Sequence, residues 1–452
     1  MEALEIARWQ FGITTIYHFF FSPLTMGLSV LIAILQTIYF RTGNADYKRL
    51  TLFFGKLFLI IFALGVVTGI VLEFQFGMAW SGYSRFVGDI FGIPLAIEAL
   101  MAFFLESTFI AVWFFGWNRL PKGIHLLSIW LVAIGSNLSA IWILIANAWM
   151  QVPVGYVLNE GRAELASFAE IVLNERMLVM AQHTIVAAFS TAGLFMLGIS
   201  AWNILRKNQT DIFIKSARLG LIFAAVSSIT LAATGHRHAQ NTAEYQPMKL
   251  AAMEGLWQTE KPAGLSLFAI IDQENRTNTF EIKIPYLLSL IAFNDINAEV
   301  KGMNVLQKRY EEKHGPGDYM PPVWVVFWSF RVMVGLGMLF ILFSIVGLFL
   351  LLKKRLSGSR GFLKLSLVVM FLPLLANALG WIIAEIGRQP WVVYGLLLTR
   401  DGLSPNVTAE SLLLSTIVFA IIYGILAAAA VFLIHKYAKP GVPEGDQIVN
   451  AY

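Results

Sequence analysis

The sequence predicts an all-α polytopic membrane protein: nine transmembrane helices with one large hydrophilic segment on the outer side. Three observations predict it. The 452 residues are 57% hydrophobic and only 13% charged, with a mean hydropathy of +0.68, more apolar surface than a soluble domain needs. Apolar runs long enough to cross a hydrocarbon core, roughly 20 residues each, lie near 11–40, 53–79, 93–117, 125–150, 177–205, 216–235, 323–352, 362–386 and 411–435. Lys and Arg, finally, gather in alternate short connections, as positive-inside topology requires.

The spans divide the chain into 1–235, with six helices, a hydrophilic segment 236–322, and 323–452, with three helices and a tail. The run 216–235 is the shortest and carries Ser227, Ser228 and Thr230, which makes it the weakest span. Arg41, Lys48 and Arg49 follow span 1, and Arg119 and Lys122 follow span 3. Arg206, Lys207, Lys215 and Arg218 follow span 5, and Lys353, Lys354, Arg355, Arg360 and Lys364 follow span 7. These loops are expected in the cytoplasm, with the N-terminus and segment 236–322 outside and the C-terminus inside. Segment 159–176 fits the outer side, because Glu160, Glu164, Glu170 and Glu175 outnumber Arg162 and Arg176. The start of the chain, with Glu2 and Glu5 and no basic n-region, reads as a retained span rather than a secretory signal. Pro94 is expected where a helix starts, while Pro373 interrupts span 8 without a counterpart in the first half. A net charge of +5 then reports topology and contact with an anionic bilayer surface, not nucleic acid.

There is no cysteine. Disulfides, iron–sulfur clusters, thiolate-ligated haem and thiol nucleophiles are therefore excluded, and any redox centre must be held by His, Met, Glu, Asp or Tyr. Of seven histidines, only His18 and His183 fall well inside spans; His125 and His435 sit at span ends, and His236, His238 and His314 in the hydrophilic segment. Glu98 and Glu106 are embedded in span 3, where ionisable groups are costly and usually functional. His18, Glu98, His183, Met333 beside Arg331, and Glu385 beside Arg388 are all expected at one outer depth. His, Met and Glu on several helices at one level are what bundle-held haem irons need, since each iron takes one or two axial donors in an apolar slot. Glu106, eight residues and about 12 Å along a helix from Glu98, has the spacing of a proton relay. Structural alternatives stand beside these readings. A buried His can bond a neighbouring carbonyl, Met333 can be packing, Glu385 and Arg388 can be a buried ion pair, and the aromatic runs can be interfacial.

Six stretches carry a family pattern: QFGITTIYHFFFSPLTMG at 10–27, GDIFGIPLAIEALMAFFLESTFIAVWFFGWN at 88–118, LGISAW at 197–202, QPMKLAAME at 246–254, FWSFRVMVGLG at 327–337 and GWIIAEIGRQPW at 380–391. Together they resemble subunit I of the cytochrome bd-type quinol oxidases, in the branch with a short Q loop, the family's name for the outer hydrophilic segment. The resemblance implies an enzyme of the bacterial cytoplasmic membrane that oxidises quinol, ubiquinol or menaquinol, at the outer face and reduces O2 to water. Proton-motive force then arises from placement, without pumping. It implies a second subunit of homologous fold and a possible small single-helix accessory subunit.

By the same resemblance, His183 and Met333 match the axial pair of haem b558. His18, Glu98 and Glu385 match the ligand set of haem b595 and haem d, the last site taking haem d or a third b-type haem. Lys249 and Glu254 match quinol-site residues, Arg331 and Arg388 match partners of haem propionates, and Trp381 matches an aromatic lying between haems. Ser139, Asn147 and Glu73 also fall on family positions. Pro247 opens an amphipathic stretch in which Leu250, Met253 and Trp257 share a face, so a shallow surface helix is expected to offer Lys249 and Glu254 to a quinone head group. Two other classes remain open on the residues alone. A haem-b electron-transfer subunit would not need the cluster of His18, Glu98 and Glu385, and a secondary transporter would show inverted repeats.

Overall fold

The structure, a computed structural model, describes residues 2–443. Among the described residues nine helical spans are long and apolar enough to cross a membrane: Ala3–Thr42, Ala45–Met78, Ser81–Phe115, Lys122–Gln151, Phe168–Leu205, Thr210–Tyr245, Val323–Leu352, Arg360–Ile386 and Ala409–Ala438. The structure is all-α apart from three two-stranded antiparallel hairpins in the connections. In chain order the helices are α1 (Ala3–His18), α2 (Ser22–Thr42), α3 (Ala45–Met78), α4 (Ser81–Ile97), α5 (Phe104–Phe115), α6 (Lys122–Gln151), α7 (Phe168–Val172) and α8 (Glu175–Leu205). They continue with α9 (Thr210–Tyr245), α10 (Pro247–Glu254), α11 (Leu287–Phe293), α12 (Met303–His314), α13 (Val323–Leu352), α14 (Arg360–Val369), α15 (Leu372–Ile386) and α16 (Ala409–Ala438).

Turns between spans are tight because their chemistry is local. After α2, Gly43 takes a left-handed conformation at φ 68°, and Asn44 then caps α3 by accepting from the Asp46 amide at 3.0 Å. The pair α8–α9 is built on small residues, the usual way helices approach where water gives no hydrophobic drive. Gly193 and Gly220 face one another so closely that a Cβ on Gly220 would lie 2.7 Å from the Gly193 carbonyl oxygen. Hydroxyl pairs Ser190–Ser228 at 2.8 Å and Ser200–Ser216 at 2.7 Å bracket that crossing.

Several boundaries differ from those read in the sequence, each for a physical reason. Span 1 is two helices, broken over Phe19–Phe21 immediately after His18, with Pro23 opening α2. Span 8 breaks likewise at Met370–Phe371, with Pro373 opening α15, so the interruption there has a first-half counterpart after all. Pro94 does not start a helix. It lies buried inside α4, which begins at Ser81, and a π-helical turn follows at Glu98–Phe103. Span 6, taken as the weakest, is the longest helix at 36 residues. Its polar end is helical rather than loop because Asn241 and Thr242 both accept from the buried Arg176, at 2.9 and 3.0 Å. The hydrophilic segment therefore begins at 246 rather than 236, and His236 and His238 are helical.

That segment holds α10, a hairpin of β3 (Leu265–Asp272) and β4 (Thr277–Ile284), α11 and α12. The first hairpin of the chain, β1 (Tyr156–Asn159) with β2 (Arg162–Leu165), and the last, β5 (Trp391–Val393) with β6 (Leu397–Leu398), lie on the same face. Met248, Leu250, Met253, Trp257, Met303 and Leu306 form a core with Val323 and Val326 of α13 and Ile383 of α15. The segment is thus seated on the ends of spans 7 and 8, on the face opposite the lysine- and arginine-rich turns.

Candidate functional site

Three embedded glutamates line up along α6. Asn147 donates to Glu385 Oε1 at 2.9 Å, Ser139 to Glu98 Oε1 at 2.5 Å, and Ser136 to Glu106. Those donors are 8 and 3 residues apart, so the carboxyls occupy levels separated by about 12 Å and about 4.5 Å along the bundle. The shared depth expected for Glu98 and Glu385 is therefore not what the fold builds. The reason lies in α4, which starts at Ser81, well before the apolar run, and carries Glu98 correspondingly deeper. Glu98 opens the π-helical turn, an irregularity that often marks functional sites. Glu98 and Glu106 consequently reach serines a single turn apart on α6. Close approach is possible because position 135 is glycine: a Cβ there would sit 3.1 Å from Glu106 Cβ.

The candidate axial donors each face a glycine. A Cβ on Gly235 of α9 would meet His183 Cε1 at 3.3 Å, one on Gly69 of α3 would meet His18 Cε1 at 3.2 Å, and one on Gly380 of α15 would meet Met333 Sδ at 3.3 Å. His183 Nδ1 lies 3.3 Å from Thr234 Oγ1, a contact that leaves Nε2 as the nitrogen available to a ligand. His18 is different. Its Nδ1 contacts Thr68 Oγ1 at 2.9 Å and its Nε2 contacts Ser22 Oγ at 2.8 Å, so binding a metal through Nε2 would displace the Ser22 hydroxyl. Trp381 packs on Phe11 and Phe19 with ring centroids 6.5 and 6.2 Å apart, spanning the distance between the helix that carries Glu385 and the break after His18.

Lys249 and Glu254 are both 2% exposed, because α10 is covered on every side. The expectation of a shallow surface helix fails here. Lys249 Nζ donates to the Ala384 carbonyl at 2.9 Å and to Gln151 Oε1 at 3.2 Å. Gln151 also receives Arg176 Nη2 at 2.7 Å and donates to Asn147 Oδ1 at 2.8 Å, which joins Lys249 to the Glu385 end of the ladder. Glu254 is ion-paired to Arg331, with Nη2 2.6 Å from Oε2, and Arg331 Nε donates to the Ser266 carbonyl at 2.5 Å. Arg331 is thus held by Glu254 and the Ser266 carbonyl. Arg388 differs: it pairs with Glu385 through Nη2, while its buried Nε and Nη1 have no partner.

The unpartnered Nε and Nη1 of a buried guanidinium call for acceptor oxygens, and carboxylates such as haem propionates supply charge-assisted ones. With single His and Met donors seated against glycines, these residues fit haem. Among the described residues no three His, Cys, Asp or Glu converge on one metal ion, whereas one or two axial donors suffice for haem iron. Sequence reading passed over His238, whose ring packs edge-on to His183 at 5.4 Å, and the hub formed by Gln151 and Arg176. Recognising α9 as continuous would have exposed the first, since His238 follows Gly235 by one turn. Glu73 stands exposed on α3.

A nine-span bundle with single His, Met and Glu donors at stepped depths is an intramembrane haem-binding redox protein. The chain matches the family described as cytochrome bd terminal oxidase subunit I over residues 6–442. It is 48% identical over 98% of its length to the cytochrome bd ubiquinol oxidase subunit 1 of Bacillus subtilis, covering 94% of that protein. It is 40% identical to the cytochrome bd-II ubiquinol oxidase subunit 1 of Escherichia coli, covering 97% of each chain. Its fold superposes on the bd oxidase of Geobacillus thermodenitrificans with a TM-score of 0.89 and 28% identity, over 97% of this chain and 98% of the other. The chain belongs to the cytochrome bd oxidase subunit I family, and is thus a multi-pass subunit of a terminal oxidase.

Proposed function

We propose that this chain oxidises quinol at the face carrying segment 246–322, which is the extracytoplasmic Q loop of the short branch, and draws protons for water formation from the basic, cytoplasmic face. Its haems would be b558 on His183 and Met333, with b595 and haem d, or a third b-type haem, served by His18, Glu98 and Glu385. The haems, when bound, supply electron transfer and the reduction of O2. A second subunit of related fold, and possibly a small single-helix one, complete the assembly in the bacterial cytoplasmic membrane. The observation that carries the reading is the α6 ladder, which links the Lys249 network at one face to Glu98 and Glu106 deeper in the bundle.

At the quinol end the residues favour neutral forms. Burial, reinforced by Arg176 and Arg388, holds Lys249 well below the usual lysine range, and burial pushes Glu254 up against the opposing pull of Arg331. Shifts in these directions suit groups that exchange protons with a substrate. Glu254→Gln keeps the shape and removes the acid, so quinol oxidation should fall roughly 100-fold, with dithionite-reduced haem spectra unchanged. Stopped-flow reduction by quinol measures this, and full-speed reduction in the variant would remove Glu254 from the site. The reading as a whole is tested by a dithionite-reduced minus air-oxidised spectrum of the purified complex, with haem extraction and carbon monoxide. A far-red chlorin band that shifts with carbon monoxide is expected; b-type bands indifferent to carbon monoxide would leave electron transfer without oxygen chemistry.

A further inference from the structure

On the basic face, the ends of spans 1 to 4 enclose a cavity of about 160 Å³ that plays no part in the chemistry above. Its wall includes Lys48, Lys122, Tyr39, Trp117, His125 and Phe40. Lys48 Nζ stands 5.5 Å from the centre of the Trp117 ring. Among the described residues, no carboxylate lies within ion-pair distance of Lys48 or Lys122, although the neighbouring Asp46 is paired to Lys215 at 2.5 Å. Trp117 Nε1 is buried without any hydrogen-bond partner. The back wall is already satisfied, with His125 bonded to Gln36 and to the Trp113 carbonyl, both at 2.8 Å. The rest of the wall brings two ammonium groups and an indole N–H, beside the Asn118 carboxamide and the Tyr39 hydroxyl.

We propose that this cavity binds a phosphate group, and that its source is the phosphodiester of an anionic phospholipid. Two lysines without carboxylates favour an anion, and an unpartnered buried indole N–H needs an acceptor oxygen. The position, where four spans leave the bilayer at the lysine-rich face, is where basic pockets between helices take lipid head groups. Phe40, 47% exposed at the rim, offers an apolar surface to an acyl chain, which free phosphate would not use.

The test is native mass spectrometry of the intact haem-loaded complex after detergent delipidation, with phosphatidylglycerol, phosphatidylcholine or inorganic phosphate added separately. The native complex is expected to retain one more phosphatidylglycerol than the Lys48→Gln/Lys122→Gln variant, with retention roughly 30-fold weaker in the variant. Trp117→Phe, which keeps the ring and removes the N–H, should weaken retention by a smaller factor, and Lys353→Gln should not. If the double variant fails to assemble, which a lost or altered haem spectrum would reveal, Trp117→Phe serves in its place. Capture of inorganic phosphate without lipid would overturn the lipid source, and equal retention of every probe by the native complex and Trp117→Phe would overturn the site.

Discussion

His183→Ala, or Met333→Leu, is expected to remove the low-spin haem and quinol oxidation together. On α13 no other His or Met lies one turn from Met333, and Met180, one turn before His183 on α8, already has its sulfur bonded by Gln151 Nε2 at 3.5 Å. The seat of each is specific as well. Gly235 allows the His183 ring to lie against α9, and Gly380 gives Met333 Sδ its place beside α15. If His183 and Met333 hold one haem between them, losing either would open a coordination position, and the low-spin absorbance should disappear even where the macrocycle is retained. Gly235→Ala puts a methyl 3.3 Å from Cε1, a contact the ring can relieve by moving a few tenths of an ångström. That variant should keep its haem with a shifted potential. Spectra at cryogenic temperature, together with quinol-driven oxygen uptake, separate these cases; a full low-spin signal in His183→Ala would refute the assigned pair.

How the sequence was legible follows from what each signal encodes. Nine spans could be read because hydrocarbon thickness fixes the length of an apolar run, and because lysine and arginine mark alternate turns. Depth was not legible, since an apolar run locates the lipid-facing part of a helix and not its ends. Span 3 was read from residue 93, whereas its helix starts at Ser81. Its polar first turns rest among protein groups, as when Tyr83 packs on Phe76 and Phe91 at 6.0 and 5.8 Å. The same holds at the end of α9, where polar residues are bonded to Arg176 rather than to water. Lys249 and Glu254 could be picked out as a charged pair within an apolar stretch. Their burial could not, because it depends on α13 and α15, which close over α10 from more than 70 residues further along the chain.

The broken spans bear on what kind of membrane protein this is. With Pro23 opening α2 and Pro373 opening α15, two interrupted helices stand in the two halves, a pattern that transporters also show. The family match assigns them otherwise. The first break lies immediately after His18, whereas Glu385 lies 14 residues beyond the second, about 21 Å along α15 in its last turn. A break releases backbone groups that a continuous span would bond internally, and tolerance of that cost inside a bilayer points to burial in protein.

Glu106→Gln should have the second large effect, slowing oxygen consumption roughly 10²- to 10⁴-fold, the range for loss of a proton-transferring group. Glutamine still accepts from Ser136 and fits the space left by Gly135, so the fold and the haem spectrum should be preserved. Ser136 is 14 residues from the basic end of α6, about 21 Å from that end. Of the three laddered carboxyls, Glu106 is therefore nearest the face from which protons must come if charge is to be separated without a pump. Ser136→Ala removes one hydrogen bond and leaves the acid in place, so its effect on oxygen consumption should be far smaller, roughly 5-fold for a net loss of about 1 kcal/mol. Oxygen uptake by complexes reconstituted in vesicles, with external and internal pH followed separately, distinguishes slowed proton delivery from slowed quinol oxidation. In Glu106→Gln the haems should remain reducible by quinol while water formation lags. Turnover at the native rate, with native acidification of the outer side, would show that protons reach Glu98 by a route that bypasses Glu106.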